Sequence, residues 1–432
     1  MAKLSKERLE YLSNELKKYK ADLDINKKSL TLLEEKISGL ISSFSDKGYT
    51  VAYITSRLKT EESFIRKQNK NKDKGLDIDY ENMHDIIGIR LVCLTKTDIN
   101  AFIDELKSSN EFKIVEERDY INEPKASGYK SYHILVEYPV SVGTEIRYVT
   151  AEIQLRTILM DIFAREEHKI SYKGECQEED KIKLRKLSKK LAFYDWALDT
   201  SFKVDNKVDS EVDNDLSTYI TEYEKVSYIF GKVYDEIKPI IEESIGEYKN
   251  KDDVLHFVHG IKPIKSIKRK MVKRKLECTA ENMLYNLRDI VRYKVVCTDE
   301  KTATEYINVL KNKLIENERI NIIEESGFDD KKESGYRGYK INASYSMPFV
   351  TGNPIVFEIL IRTMAMDAWA LHNDKIYNNK EAQEEYGEAF QGLSESLHDA
   401  EILLEKMKDR NKAVKKEDNI LKLVKNYEKE SK

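Results

Sequence analysis

The sequence predicts an α+β (mixed α/β) protein made of two tandem copies of one domain, each a mixed β-sheet of about five strands flanked by helices. Three observations carry this expectation. Tyr129 and Tyr336, Arg156 and Arg362, Glu152 and Glu358, Asp85 and Asp289, and Ser63 and Ser266 lie 207, 206, 206, 204 and 203 residues apart, the near-constant offset of a duplicated unit fused head to tail. Short apolar runs of strand character alternate with longer stretches of helical spacing, the pattern of a sheet covered by helices. Only six prolines punctuate 432 residues, so long helices are expected.

In chain order, residues 1–45 place Leu, Ile and Tyr at three- and four-residue spacings among lysines and glutamates, which predicts helix. Asp85 precedes IIGIRLVCL, a buried-strand run with Gly88 inside it. Residues 98–109 read as helix. RDYINEPKASGYKS is a turn-rich loop broken by Pro124 and Gly128. YHILVEYPV and EIRYVTAEIQLR alternate apolar with polar and read as adjacent strands. TILMDIFAREEHKISYK and KIKLRKLSKKLAFYDWALDTSFKVD read as helices. The stretch 204–217, VDNKVDSEVDNDLS, is rich in Asp, Ser and Asn with no periodic apolar face and is the expected linker. This gives domains at 1–203 and 218–432. The second copy repeats the order: helices at 218–249, the strand DIVRYKVVCT, the loop ESGYRGYK, the strand IVFEILIR and the helix MAMDAWALHNDKIY. A helix from 380 onward ends in a lysine-rich tail, read as a solvated end.

Two domains of about 200 residues are each large enough for a core. Charged residues make up 35% of the chain, yet the net charge is only −4, which gives little support to a general nucleic-acid binder. No run of 18 apolar residues predicts a membrane span, and the N-terminus lacks the apolar stretch of a signal peptide. The four cysteines, Cys93, Cys176, Cys278 and Cys297, form no CxxC pair. Cys93 and Cys297 end apolar runs at equivalent points and read as buried thiols. A reducing cytoplasm fits.

The chemistry gathers in the first copy. Glu152, Gln154 and Arg156 alternate along one strand and so project to one face; on their own they also describe the wet face of an edge strand. The loop KASGYKSYH adds Lys125, Tyr129, Lys130 and His133 around Gly128. Asp85 and Glu152 suit Mg²⁺, a hard ion that takes oxygen ligands and keeps substrate phosphates in its shell. Arg57, Lys59, Lys67 and Lys70 supply cations of the kind that neutralise phosphate oxygens, though lysines on a helix also describe a solvated face. Tyr129 beside a glycine could stack a base or lie partly in the core.

DIIGIRLVC, YINEPKASGYKSYH and AEIQLRTILMDIFAREEHKISYK, in this order and spacing, resemble the RelA/SpoT-type synthetase domain, and more narrowly the small alarmone synthetases. The resemblance covers about residues 20–200 and, more weakly, 225–410. It implies a nucleotidyltransferase-like synthetase fold and transfer of the β,γ-pyrophosphate of ATP to the 3′-hydroxyl of GTP or GDP, releasing AMP. Carried over residue by residue, it implies Asp85 and Glu152 as Mg²⁺ ligands and Glu152 as proton acceptor. Arg57 and Arg90 would clasp the adenine, with Lys59, Ser63 and Lys67 on the ATP phosphates. Tyr129 would stack on the acceptor base, Lys125, Lys130 and His133 would hold acceptor phosphates, and Gln154 and Arg156 would order the strand. Related members act as toxins on the 3′ end of tRNA or make the adenosine analogue, so those acceptors are alternatives. A non-catalytic nucleotide-binding regulator is a further one.

The chain departs from the family's pattern at several points. Lys130 stands where Arg is usual, and the two differ in bidentate grip. Phe163 replaces a usual Trp. Asp161 stands where an Asn often reads the guanine edge. His84–Asp85 is an HD dipeptide, but a hydrolase needs further His and Asp ligands, and the seven histidines are scattered; no alarmone hydrolase domain is expected. The second copy keeps Lys262, Ser266, Lys270, Asp289, Tyr336, Glu358 and Arg362, but has Gly260 for Arg57, Arg292 for Gly88, Gly338 for Ser131, Lys340 for His133 and Leu360 for Gln154. These losses suggest a degenerate copy with a structural or nucleotide-sensing role; a second active site with altered acceptor choice is the alternative. Small synthetases often form oligomers, so a homo-oligomer, or an intra-chain pseudo-dimer made by the fusion, is expected.

Overall fold

The computed structural model describes residues 4–76, 78–142, 144–172, 178–202, 216–250, 253–328, 337–347, 353–376, 392–399, 401–402 and 420–430. Of the expected linker, residues 204–215 lie outside the described residues, as does the first half of the loop ESGYRGYK, Tyr336 included. The chain forms two compact units, one of residues 1–199 with the C-terminal residues from 406, the other of residues 200–405.

The first unit opens with α1 (Lys6–Ala21) and α2 (Leu23–Asp46), in the stretch that was expected to be helical. β1 (Val51–Leu58) and α3 (Glu61–Asp73) follow, then β2 (Ile87–Cys93), α4 (Lys96–Ser108), β3 (Lys113–Asp119), β4 (Tyr132–Val142), β5 (Glu145–Thr157), α5 (Ile158–Tyr172) and α6 (Glu178–Phe202). The strands form one mixed sheet in the order β1-β2-β5-β4-β3; β2 and β5 run parallel and the other pairs antiparallel. Alternation sorts β5 by face: Ala151, Ile153 and Leu155 are fully buried, leaving Glu152, Gln154 and Arg156 on the other side. The buried side joins Ile87, Ile89 and Leu91 of β2 to Ile37 and Phe44 of α2 and to Ile99 and Phe102 of α4 in one core.

Local signals place the helices. Thr60 caps α3 by accepting from the Ser63 amide. Thr95 and Asp98 form a capping box at the start of α4, which satisfies two amide donors that an uncapped helix leaves open.

The second unit repeats the architecture. Its elements are α7 (Ser217–Glu247), β6 (Val254–Ile261), α8 (Ile264–Lys273), α9 (Ala280–Asn286), β7 (Val291–Cys297), α10 (Glu300–Glu316), β8 (Ile320–Ser326), β9 (Tyr339–Tyr345), β10 (Ile355–Thr363) and α11 (Met364–Ile376). The sheet order β6-β7-β10-β9-β8 matches the first strand for strand. The helices expected at 218–249 are one helix, α7, which carries Pro239 inside it. Cys93 and Cys297 are buried, as their place at the end of apolar runs implied.

The C-terminal helix Ile420–Glu430 departs from expectation. It packs within the first unit against α1 and α3: Val424 is fully buried, Lys425 pairs with Glu61 at 3.0 Å, and Ser13 donates to Glu428 at 3.1 Å. Ile420 and Val424 stand four residues apart and make an apolar stripe among the lysines. Burying one such valine is worth about 1.5–3 kcal/mol, enough to dock an end that its charge alone would leave solvated.

The loop around Gly128 is fixed from below by α6. Gly128 adopts φ +92°, a left-handed conformation that glycine takes without strain, and a Cβ there would come within 2.8 Å of the Ser188 Cβ. Ser188 donates to the Gly128 carbonyl at 2.6 Å. One helical stretch further on, the fully buried Asp195 accepts from Thr157 Oγ1 at 2.9 Å. Burial pushes its carboxyl up to about 7, against the pull of Thr157, Lys96 and Lys130.

An acid whose folded pKa is raised holds its proton in the folded state after the unfolded chain has lost it. Its stability contribution is therefore complete below the ordinary carboxylate range and falls away as pH rises to about 7. Asp195→Asn, which keeps the acceptor for Thr157, should be more stable than the parent at pH 8, by up to about 4 kcal/mol. The difference should shrink at pH 5; urea unfolding at both pH values gives the comparison, and a difference that does not grow with pH contradicts it.

Candidate active site

The polar face of the first sheet is laid out by register. Arg57 on β1 stands opposite Gly88 on β2, and Gly88 stands beside Glu152 on β5. In the next row inward Arg90 pairs with Gln154, and Gln154 with His133 on β4. Partners in register project to the same face, so side chains nearly a hundred residues apart converge over one patch. Arg57 is on β1, and of the lysines expected on a helix Lys67 and Lys70 are on α3 while Lys59 precedes it.

The deepest element is Asp161 on α5, whose side chain is fully shielded. Oδ1 accepts from Arg156 at 2.8 Å and lies 3.3 Å from Arg90 Nη1. Oδ2 accepts from Arg165 at 2.7 Å and from the Tyr53 hydroxyl at 2.9 Å. Burial opposes its charge, but Arg165, Arg90 and Arg156 hold the carboxyl well below its ordinary value. Asp161 was expected to face the acceptor base. Both its oxygens are taken, and it organises arginines instead. Arg90, expected on the adenine, has one guanidinium nitrogen committed to this network.

From Asp161 the order passes upward through Arg156. Its Nη2 donates to the Tyr129 hydroxyl at 2.6 Å and to Gln154 Oε1 at 2.8 Å. Tyr129 meets His133 Nε2 at 2.9 Å, and His133 Nδ1 lies 3.2 Å from Glu152 Oε1. Gln154 Nε2 donates to the same Glu152 oxygen. Imidazole Nδ1–H donates to the carboxylate, and Nε2 shares a hydrogen bond with the phenol whose direction follows the tautomer. The result is a closed ring, Arg156 to Tyr129 to His133 to Glu152, and back through Gln154. Both donors to Glu152 converge on Oε1, and no described residue donates to Oε2. Burial alone would raise the Glu152 carboxyl; His133, Gln154 and Lys67 reverse this and bring it down to about 2.

Beside the ring lies a cation-rich corner. Lys59 and Lys67 both grip Asp85 Oδ2, at 2.9 and 2.7 Å. Burial disfavours the Asp85 charge, but the two ammonium groups leave its carboxyl below the ordinary value, and burial lowers Lys59. Ser63 is exposed on the first turn of α3 and Lys70 is exposed further along it. Asp85 Oδ1 is shielded from solvent and has no hydrogen-bond partner among the described residues. An unmet carboxylate oxygen, on an acid whose partner Lys67 also acts on Glu152, fits a hard divalent cation. Among the described residues no group of three or more His, Cys, Asp or Glu is gathered, so a cation here depends on other oxygens, such as phosphates, to complete its shell.

On the loop, Lys125 lies over the rings of Tyr120 and Tyr129, 4.4 and 4.7 Å from their centroids, and the Arg156 guanidinium lies 5.1 Å from that of Tyr129. Such cation–ring contacts are worth about 0.5–2 kcal/mol, so a base stacking on Tyr129 meets a ring already held in place. Lys130 is half-buried; burial and Lys96 lower it, and Asp195 opposes them. Its charge neighbours are thus α4 and α6, apart from the ring around Glu152. Arg165 was missed from sequence although it stands four residues after Asp161, a helical pairing distance. Tyr53 could not have been found, because only the β1–β2 pairing brings it in.

The second unit keeps the lower parts and loses the ring. Lys262 and Lys270 grip Asp289 Oδ2 at 2.6 and 2.5 Å, with Asp289 Oδ1 again lacking a partner among the described residues. Asp367 takes the part of Asp161, held by Lys294 at 2.8 Å and Arg362 at 3.0 Å. With Lys340 for His133 and Leu360 for Gln154, Glu358 has no hydrogen-bond donor among the described residues. Burial and Asp289 raise its carboxyl in spite of Lys270, Lys340 and Arg362. The same fold position therefore holds a depressed acid in one copy and a raised one in the other.

Comparison with known proteins matches the family model "Region found in RelA / SpoT proteins" twice, at residues 56–177 and 259–382. The chain is 36% identical over 176 residues to GTP pyrophosphokinase YwaC of Bacillus subtilis, covering 39% of this chain and 82% of that protein. It is 34% identical over 155 residues to GTP pyrophosphokinase YjbM of the same organism, covering 35% and 72%. Among solved structures, small alarmone synthetase 2 from Bacillus subtilis matches at 32% identity and a TM-score of 0.40, covering 43% of this chain and 98% of that one.

The Asp161 network makes a direct prediction. Asp161→Ala leaves the Arg90, Arg156 and Arg165 charges buried or half-buried without their anion and should lower unfolding stability by about 3–5 kcal/mol. Guanidinium unfolding measures it, and a loss below about 1 kcal/mol would show that the arginines find other partners.

Proposed function

Because the chain belongs to the RelA/SpoT family and carries its characteristic region twice, we propose that the first copy is a GTP pyrophosphokinase, a (p)ppGpp synthetase. The 3′-oxygen of GTP or GDP attacks the β-phosphorus of ATP, the bond from that phosphorus to the α–β bridging oxygen breaks, and AMP leaves with that oxygen. The observation that carries this reading is Glu152: Oε1 is fixed by His133 and Gln154, while Oε2 takes no donor among the described residues. An open, ionised carboxylate oxygen at the centre of a cationic face is what a 3′-hydroxyl needs in order to give up its proton. With its carboxyl at about 2, Glu152 is a weak base, and its effect depends on positioning.

The remaining residues take roles set by place. Lys59, Ser63 and Lys67 contact the donor phosphates. Arg57 and Arg90 take the adenine, Arg90 through the part of its guanidinium not turned to Asp161. Lys125, Tyr129 and His133 form the acceptor side, with Lys130 a lesser contributor because of its half-buried place near Asp195. Gln154 and Arg156 position Glu152 and Tyr129. Asp85 and Glu152 would hold Mg²⁺, which, when bound, supplies neutralisation of the triphosphate charge. No helix among the described residues is long and apolar enough to cross a membrane, and the substrates belong to the nucleotide pool of the cytoplasm.

The purified full chain, given ATP labelled at the β,γ-phosphates with GTP, GDP, ADP or uncharged tRNA, should label GTP or GDP and release AMP in equal amount. Label on ADP or on the tRNA 3′ end instead would make this a toxin-like member, and nucleotide binding with no AMP release would make it a regulator. Asp85→Ala and Glu152→Ala should each lower turnover by about 10²–10⁴-fold, whereas Asp289→Ala and Glu358→Ala should leave most of it. Loss of turnover only in the second pair would move the active site to the second copy.

A further inference from the structure

The second copy has Gly260 where the first has Arg57, and Arg292 where the first has Gly88. Read along the chain these are two separate losses. In the sheet they are one exchange, because the positions face each other across the same strand pair: Arg57 opposite Gly88, Gly260 opposite Arg292. Residues directly opposite in an antiparallel pair share a face, with Cβ atoms about 4.5–5.5 Å apart. The guanidinium has moved one strand sideways on the same surface.

The space agrees with the exchange. In the first copy the Arg57 side chain lies across Gly88: a Cβ added there would meet Arg57 Cγ at 3.9 Å and Nε at 4.0 Å. Arg292 grows from the position over which that chain passes. Opposite it, a Cβ at Gly260 would meet nothing within 4 Å, so the surface above Gly260 is open for Arg292 to use. Arg57 and Arg292 are both exposed, and neither is bonded to another described residue. Each is an unspent cation on a face that already carries two lysines. Below them the corner is the same in both copies: two ammonium groups on one oxygen of an aspartate, at 2.9 and 2.7 Å on Asp85 and at 2.6 and 2.5 Å on Asp289. Each aspartate keeps its second oxygen shielded and, among the described residues, unpartnered. The acceptor side shows no such care. Lys340 and Leu360 replace the two donors that fix Glu152, and Glu358 is left without either.

We propose that the second copy is a nucleoside-triphosphate site that binds without transferring. Lys262, Lys270 and Asp289 take a magnesium-bound triphosphate, and Arg292 reaches from β7 into the space that Arg57 fills from β1. The inference rests on the reading of Lys59, Lys67 and Arg57 as the donor side of the first copy. A donor half kept intact, with its arginine relocated and not lost, beside an acceptor half without its hydrogen-bond ring, gives a chain that senses the donor in one copy and spends it in the other.

The test uses the full chain and the magnesium complex of α,β-methylene ATP, which cannot be cleaved between its α- and β-phosphates. Isothermal titration should find two sites per chain. Lys59→Ala with Lys67→Ala should remove one of them. In that background Arg292→Gly, and equally Arg292→Ala, should weaken the remaining site at least tenfold, and adding Gly260→Arg to Arg292→Gly should restore it. Restoration separates a binding role from a structural one, since it moves the charge back across the strand pair without rebuilding any other contact. One site that the lysine variants abolish would overturn the second site and leave the first-copy reading standing. One site untouched by those variants but lost with Arg292→Gly would uphold the second site and overturn the donor assignment in the first. A second site that persists unchanged in Arg292→Gly, or that Gly260→Arg fails to restore, overturns the role given to Arg292.

Discussion

A buried carboxylate that holds arginines in place is the constraint on which the site depends. Asp161 has no solvent of its own, so its charge is tolerable only while Arg90, Arg156, Arg165 and Tyr53 surround it. The converse holds for Arg156, which is almost fully buried. Each ion would be costly alone, and together they leave one geometry. Because Arg156 is pinned on one edge by Asp161, its other nitrogen can be spent on Tyr129 and Gln154, and these two in turn set His133 and Glu152. The Glu152 carboxylate is thus positioned from beneath, through three successive hydrogen-bonded layers.

The duplication separates the layers that both copies keep from the one in which they differ. Asp367, Lys294 and Arg362 repeat the buried cluster, and Lys262, Lys270 and Asp289 repeat the lysine corner. Above them, Lys340 and Leu360 stand where His133 and Gln154 close the ring in the first copy. If the ring were needed to fold the sheet, the second copy could not have lost it while keeping an identical strand order. The opposite displacement of the two glutamates follows: with hydrogen-bond donors, burial is overcome and Glu152 stays ionised; without them, burial prevails and Glu358 is raised.

Much of the architecture was legible because it is periodic. The offset between copies, the alternation along β5 and the apolar run of β2 each state a physical requirement that does not depend on distant residues. Asp85, Glu152, Gln154, Arg156 and His133 could be singled out from motif and spacing. What misled was local reading of groups whose partners are remote. Asp161 looked like a reader of bases because it stands where the small synthetases often have an Asn that reads the guanine edge; only the arrival of β1 and β2 shows it saturated. The lysine-rich C-terminus looked solvated because charge dominates its composition, whereas Val424 decides its place.

By itself the sequence determined that one domain was written twice, that each copy folds as a mixed sheet with helices, and that acids and cations cluster in the first. Those are properties of order and period, which the chain carries along its length. Only the tertiary structure decided which oxygen of Glu152 is open, that Asp161 is closed, and that Arg292 and Gly260 are one exchange and not two losses. The reason is that strand pairing brings together residues dozens to nearly a hundred positions apart, and a side chain's partners, burial and charge state are set by what pairing puts beside it.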